Sequence, residues 1–234
     1  MRRTMMAAAA AVLVMGAGRA EAQLPTVQQV YDKFAEAVGG RAAWAPVQGR
    51  TEKGTADITF ANLSGAYERH SALPNKLRMI IDLGVARIDQ GFDGTKGWAD
   101  QGGGPQPMPP EQVKSVSEVA KDGASFLDPT RYTKAAVTGK DIFDGQEAYK
   151  LEITTASGIS ATEYFSTATG LRIGQVSQGA AGEQRILYKE YKAFEGKKVP
   201  SKVVQVTPQG DVVITVNSVT FGAPDAAMFK SPIG

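Results

Sequence analysis

A chain of 234 residues with 42% apolar and 21% charged side chains is long enough to build one globular domain around a sizeable core, and too apolar to remain unfolded. It has one histidine and no cysteine, which excludes disulfide scaffolding, thiol catalysis and a lipobox anchor, and leaves too few ligands for an ordinary zinc centre. The formal charge of +2 provides no strong basic field for nucleic acid.

The N-terminus reads as an export signal. Met1-Arg2-Arg3 is a short basic start, "MMAAAAAVLVMGAG" is an apolar run too short to span a bilayer comfortably, and "AEA" at Ala20 to Ala22 is a small-x-small cleavage pattern. Residues 1–22 are therefore expected to be a signal peptide, and residues 23–234 a single domain. Loss of Arg2, Arg3, Arg19 and Glu21 takes the 26 basic and 24 acidic residues to 23 of each, so the charge excess belongs to the discarded piece. No other run is apolar and long enough to cross a membrane, so the mature chain is expected to be soluble, periplasmic and not lipid-anchored.

The first mature element is helical. Val27, Val30, Tyr31, Phe34 and Val38 form one stripe at helical spacing, Thr26 and Gln29 make a capping box, and Gly39-Gly40 ends the run. "RAAW", Arg41 to Trp44, reads as a further half-turn that tucks Trp44 against the body.

From there the period changes to two. Ala56, Ile58 and Phe60 alternate with polar residues; Leu77, Met79 and Ile81 share a face in "KLRMIIDLG"; Tyr149, Leu151 and Ile153 do so in "AYKLEITT". Similar segments recur to "DVVITVNSVTF", separated by short turn-rich pieces such as "LPNK", "FDGT", "TATG" and "TPQGD". About ten short strands with brief connections predict a mainly β domain, a single antiparallel and incompletely closed barrel with an N-terminal helix. One interruption, "QGGGPQPMPPEQVKSVSEVAKDGASFLDP", inserts a Gly/Pro loop and a helix predicted over Glu111 to Lys121, with Val113, Val116 and Ala120 on one side; a long insertion of this kind suggests a lid.

"GFDGTKGWAD", Gly91 to Asp100, concentrates three glycines and one of two tryptophans, but a phosphate-binding glycine loop opens a helix and nothing after Trp98 does. Asp93-Gly94 instead predicts a two-residue hairpin turn. His70 lies in "YERHSALP" near a strand end, and adjacent Ser71 points to the opposite face, so no Ser-His pair forms there; His70 is expected to be an exposed polar residue. Asp89, Asp93 and Asp100 lack calcium-loop spacing, no pair of carboxylates is singled out for glycosidase chemistry, and Lys197-Lys198 reads as solvated surface. No enzymatic activity, cofactor or metal is expected.

In order, the signal segment, amphipathic helix, Gly91 to Trp98 hairpin, helical insertion, further meander and Asp225 to Pro232 ending "DAAMFKSP" resemble the outer-membrane lipoprotein-sorting superfamily over essentially the whole mature chain. The resemblance implies an open antiparallel barrel whose apolar inner face is covered by helices and holds acyl chains. No arginine here is matched to the carrier's lid-contacting arginine, so lipoprotein cargo does not follow, and the missing lipobox cysteine argues against the receptor branch.

The resulting expectation is a non-enzymatic periplasmic carrier or sensor for an acyl or other hydrophobic ligand. Candidate lining residues are Ile58, Phe60, Leu77, Met79, Ile81, Trp98, Val113, Val116, Leu151 and Ile153. The alternative is a cell-envelope protein-interaction module with a filled barrel and no ligand. Possible partners are thus a hydrophobic ligand, a lipoprotein or an envelope protein, with no nucleic acid.

Overall fold

The computed structural model describes residues 23–121, 123–179 and 182–233; the expected signal peptide lies outside them. Helix α1, Val27–Ala37, starts at the expected capping box: Thr26 Oγ1 accepts from Gln29 N, and Gln29 Oε1 accepts from Thr26 N. It presents Val30, Tyr31, Phe34 and Ala35 to the interior. A single turn, α2 (Arg41–Trp44), then buries Trp44 completely, its indole N–H donating to Val38 O at 3.1 Å.

The strands are β1 Gly49–Ile58, β2 Leu63–Ala72, β3 Lys76–Asp82, β4 Arg87–Phe92, β5 Gly97–Asp100, β6 Gln106–Pro107, β7 Tyr132–Phe143, β8 Gln146–Thr155, β9 Ser160–Ser166, β10 Arg172–Gly179, β11 Gly182–Phe194, β12 Lys197–Thr207 and β13 Gly210–Phe221. They form one antiparallel sheet of 13 strands in the order 6-5-4-3-2-1-13-12-11-10-9-8-7. The count exceeds the expected ten for physical reasons. Gly97–Asp100 and Gln106–Pro107 are too short to show a period, and β7 carries two register shifts that break its alternation. Because β1 pairs with β13, the open edges are β6 and β7, and the insertion between them is the segment that joins the two edges. Its helix, α3, spans Pro110–Val119, starting on a proline at the first helical position and ending before the expected Lys121.

One face of the sheet, the inner face, carries α1. Val30, Tyr31, Phe34, Val38 and Trp44 pack there with Ala56, Tyr67, Ile81, Leu151, Ile153, Phe165 and Val216 in the main core. Tyr31 and Phe34 meet Phe165 at ring separations of 5.3 and 5.5 Å, and Trp44 meets Phe126 at 4.7 Å. Truncating a buried aromatic of this kind costs about 3–5 kcal/mol. A smaller outer-face cluster stacks Phe143 on Tyr164 at 4.0 Å. No described helix is long and apolar enough to cross a membrane.

The Gly91 to Asp100 stretch is a hairpin, β4 to β5, but its turn differs from the two-residue form. Four residues, Asp93 to Lys96, connect the strands; Gly94 alone among them has positive φ (+103°), and Asp93 Oδ1 accepts from Thr95 N and Lys96 N at 2.8 and 2.7 Å. The side-chain acceptor thus supplies the closure that positive φ at Asp93 was expected to supply. Gly91 is needed for another reason: Trp98 lies across it, and a Cβ there would sit 2.3 Å from the indole ring. His70 is also corrected. It is buried on the outer face, with Nδ1 3.1 Å from Thr51 Oγ1 and Nε2 3.2 Å from Glu68 Oε2. Cross-strand pairing with Thr51 shields a position that strand-end logic left open to solvent.

Candidate hydrophobic-ligand site

Strand register determines what the inner face offers. Leu77, Met79 and Ile81 share that face as alternation requires, and Ile81 pairs with Ile88 of β4. A second row runs Ala56, Ile214, Val203, Tyr188 across β1, β13, β12 and β11, and a third runs Ile58, Val212, Gln205, Ile186. Helix α1 covers the β7–β10 side of this face, whereas Ile58, Met79, Ile88, Ile186, Val203 and Ile214 are only half-buried. The inner face is therefore packed under α1, and beyond it half-buried apolar residues alternate with buried ones such as Ala56, Tyr67, Ile81 and Val216.

Helix α3 lies over the other margin. Val113 and Val116 pack on Leu77, Phe92 and Ala120, but no side chain of α3 itself is buried. Gly97 admits the approach: a Cβ there would lie 2.8 Å from Met108 Sδ and 3.3 Å from Val113. Arg69 Nη2 donates to Val119 O at 3.3 Å, a cation on the last carbonyls of the helix. Glu52, buried beside it, faces Arg50 at 2.9 Å and Arg69 at 3.6 Å.

The expected lining residues thus divide. Ile58, Leu77, Met79, Ile81, Val113 and Val116 lie on or over the inner face at its β1–β5 side, although Ile81 is itself a buried member of the main core and Leu77 is buried with Phe92 and Ala120 beside α3. Leu151 and Ile153 are on the same face but fully packed beneath α1, so they are core. Trp98 is corrected: it pairs with Gly91, which pairs with Arg78, and all three belong to the outer face. Phe60 is corrected as well, because β1 ends at Ile58 and a 3-10 turn over Thr59–Ala61 carries the ring out to 54% exposure.

Trp98 instead floors an outer hollow of about 320 Å³ lined by Arg78, Asp89, Asp100, Lys230 and Pro232. Arg78 is bidentate to Asp89 at 2.9 and 2.7 Å and reaches Met228 O at 3.3 Å. The hairpin and the C-terminal "DAAMFKSP" segment, whose Phe229 is buried, therefore meet at one seam. The two sequence stretches that carried the family resemblance are parts of one structural joint.

Sequence reasoning missed a polar cluster under α1. Glu163 is 1% exposed; it accepts from Tyr31 Oη at 2.7 Å, Tyr132 Oη at 2.9 Å and Arg172 Nη1 at 2.7 Å. Burial raises its pKa, but the charges of Arg172 and Arg131 and the Tyr31 hydrogen bond outweigh burial and hold it below the usual carboxylate value. Burial, followed by the charge of Glu163, pushes the Tyr31 and Tyr132 phenols up. The signal was present in "ATEYFS": Glu163 occupies the apolar phase between Ala161 and Phe165.

The arrangement offers apolar contact and fixed charges, and among the described residues no three His, Cys, Asp or Glu side chains group to hold a metal ion. Its geometry defines a class: an open, helix-covered antiparallel sheet. Comparison with solved structures bears out the resemblance at the level of fold. A DUF1329 family protein from Desulfovibrio piger superposes with a TM-score of 0.60 at 13% identity, over 86% of this chain and 96% of its own. A LolA superfamily protein from Nitrosomonas europaea gives 0.58 at 14%, over 89% and 99%. A domain assigned to outer-membrane lipoprotein sorting in Vibrio parahaemolyticus gives 0.55 at 11%, over 85% and 97%. No protein-family model matches the sequence, and no curated protein matches it. The chain has the LolA-like fold.

Proposed function

We propose that this protein is a periplasmic carrier or sensor that holds an acyl or other hydrophobic ligand on the inner face of its open sheet, without covalent chemistry. The observation that carries this reading is the half-buried floor formed by Ile58, Met79, Ile88, Ile186, Val203 and Ile214, of which Met79, Ile88 and Ile214 lean on the main core, bordered by a shallowly seated α3. Apolar surface of this kind gains about 25 cal/mol per Å² when a ligand removes what remains exposed from water. The Nitrosomonas and Vibrio neighbours support the reading through shared fold. The N-terminal segment supports export.

A second reading, an envelope interaction module with a filled barrel, is favoured by the dense packing of Leu151, Ile153, Tyr31 and Phe34 on the α1 side. The two separate in a titration with a fluorescent acyl probe, comparing the mature protein with Met79→Glu. A carrier binds the probe saturably and loses it on Met79→Glu, because an unpaired charge on an apolar floor costs several kcal/mol to cover with ligand. A module shows no saturable binding in either protein.

A further inference from the structure

The boundary between the filled and open parts of the inner face carries an excess of positive charge. Arg172 begins β10 and faces inward opposite Phe165. Its Nη1 donates to Glu163, while its Nε is buried with no hydrogen-bond partner among the described residues. Arg131 is in the same condition at Nε, and its charge also acts on Glu163. Arg172 thus holds the carboxylate directly, and the Arg131 charge acts on it from further away. An arginine carries five N–H donors in a planar fork, and a second acceptor with negative charge is what this fork lacks.

The surroundings specify how such an acceptor arrives. The Tyr188 ring lies 4.7 Å and the Phe34 ring 6.0 Å from the Arg172 guanidinium carbon, and its side chain stays 17% exposed. Tyr188 continues directly into the apolar row Val203, Ile214 and Ala56. From β10 to β13 this row crosses three interstrand steps of ~4.8 Å, roughly 14 Å, before it meets the buried Ala56, and so takes the head-group end of an extended acyl chain.

We infer that the ligand is a long-chain carboxylic acid whose carboxylate is received by Arg172, beside Tyr188, while its chain lies along Val203 and Ile214. The inference rests on the carrier reading and adds a head-group chemistry to it. The Arg172 guanidinium supplies charge-assisted hydrogen bonds to the carboxylate, the Arg131 charge helps to offset Glu163 behind it, and the floor takes the chain.

The test is displacement of N-phenylnaphthylamine, a neutral apolar probe, from the mature protein at pH 7 by hexadecanoic acid and by hexadecanol. The acid is expected to bind at least about tenfold tighter than the alcohol, the increment of a hydrogen bond to a charged partner. In the Glu163→Gln/Arg172→Gln double variant, which removes both charges of the pair, the acid-to-alcohol ratio should fall toward one. Arg131→Gln, a milder change outside the sheet, should lower the ratio severalfold and keeps the idea testable if the double variant fails to fold. Equal binding of acid and alcohol by the wild type overturns the head-group assignment and leaves the carrier reading standing. Displacement by neither, with no probe binding, removes the carrier reading and this inference with it. A ratio unchanged in both variants shows that another group selects the acid, and overturns the role of Arg172.

Discussion

Glu163 is the residue whose removal should be felt most. It sits 1% exposed and receives three hydrogen bonds, from Tyr31, Tyr132 and Arg172, so it joins α1, β7, β9 and β10 at one point. Glu163→Ala leaves the Arg172 charge without its carboxylate next to Phe34 and Tyr188, and breaking a buried pair from one side costs about 3–5 kcal/mol. For a domain of this size, each kcal/mol lowers Tm by about 2–4 °C, so the loss is roughly 6–20 °C. Tyr31→Phe removes a single hydrogen bond to a charged acceptor and should cost about 1.5–3 kcal/mol. The assay is urea unfolding followed by tryptophan fluorescence, which reports on Trp44 in the same core. In a double-mutant cycle, Glu163→Ala and Arg172→Ala should be coupled by at least about 1 kcal/mol. A Glu163→Ala loss below about 1 kcal/mol with an unchanged denaturant slope would refute the view that this cluster anchors α1.

Acid should weaken the fold in two stages, and in both the unfolded chain binds the proton more readily than the folded one. His70 has its pKa lowered by burial, although the Glu68 hydrogen bond opposes this, so the unfolded chain takes up the proton first and stability falls as pH drops below about 6.5. Glu163 has a lowered folded pKa, so its contribution is present above the ordinary carboxylate range and is lost as pH falls through that lowered value. His70→Gln should flatten the first stage alone, and a melting series from pH 8 to pH 3, roughly the span of these groups, reads both. Gly91→Ala should destabilise by about 1–3 kcal/mol, since the added methyl meets Trp98, while Gly102→Ala, facing open space but at positive φ, should cost about 1 kcal/mol; equal losses would show that the indole contact is unimportant. Deleting residues 112–119 uncovers Leu77 and Phe92 and should speed probe release severalfold in stopped flow while the core around Trp44 stays folded.

Most of the architecture was legible because period-two alternation is strong where one face is buried. Leu77, Met79 and Ile81 fell on the inner face, and the Thr26–Gln29 box fixed the start of α1, as a short-range hydrogen-bond pattern can. What escaped was long-range. The partner of β1 is β13, separated by almost the whole chain, and no local signal states that pairing. The side on which Trp98 lies is not legible in the sequence, because hydrophobicity alone does not reveal that an outer face is itself covered, here by the segment ending in Phe229. Leu151 and Ile153 were on the correct face, but which part of that face α1 fills depends on how Tyr31 and Phe34 dock. Glu163 was readable as a charge in the apolar phase of β9, whereas its partners Tyr31, Tyr132 and Arg172 come from three other elements.

The carrier reading meets its most direct test in native mass spectrometry of the protein purified without detergent from the cells that make it. The account expects a bound species at one amphiphile per chain, with a mass that organic extraction recovers as a lipid or long-chain acid and that Met79→Glu removes. A spectrum showing the bare chain alone, from a protein that also fails to take up an added long-chain acid, would contradict it.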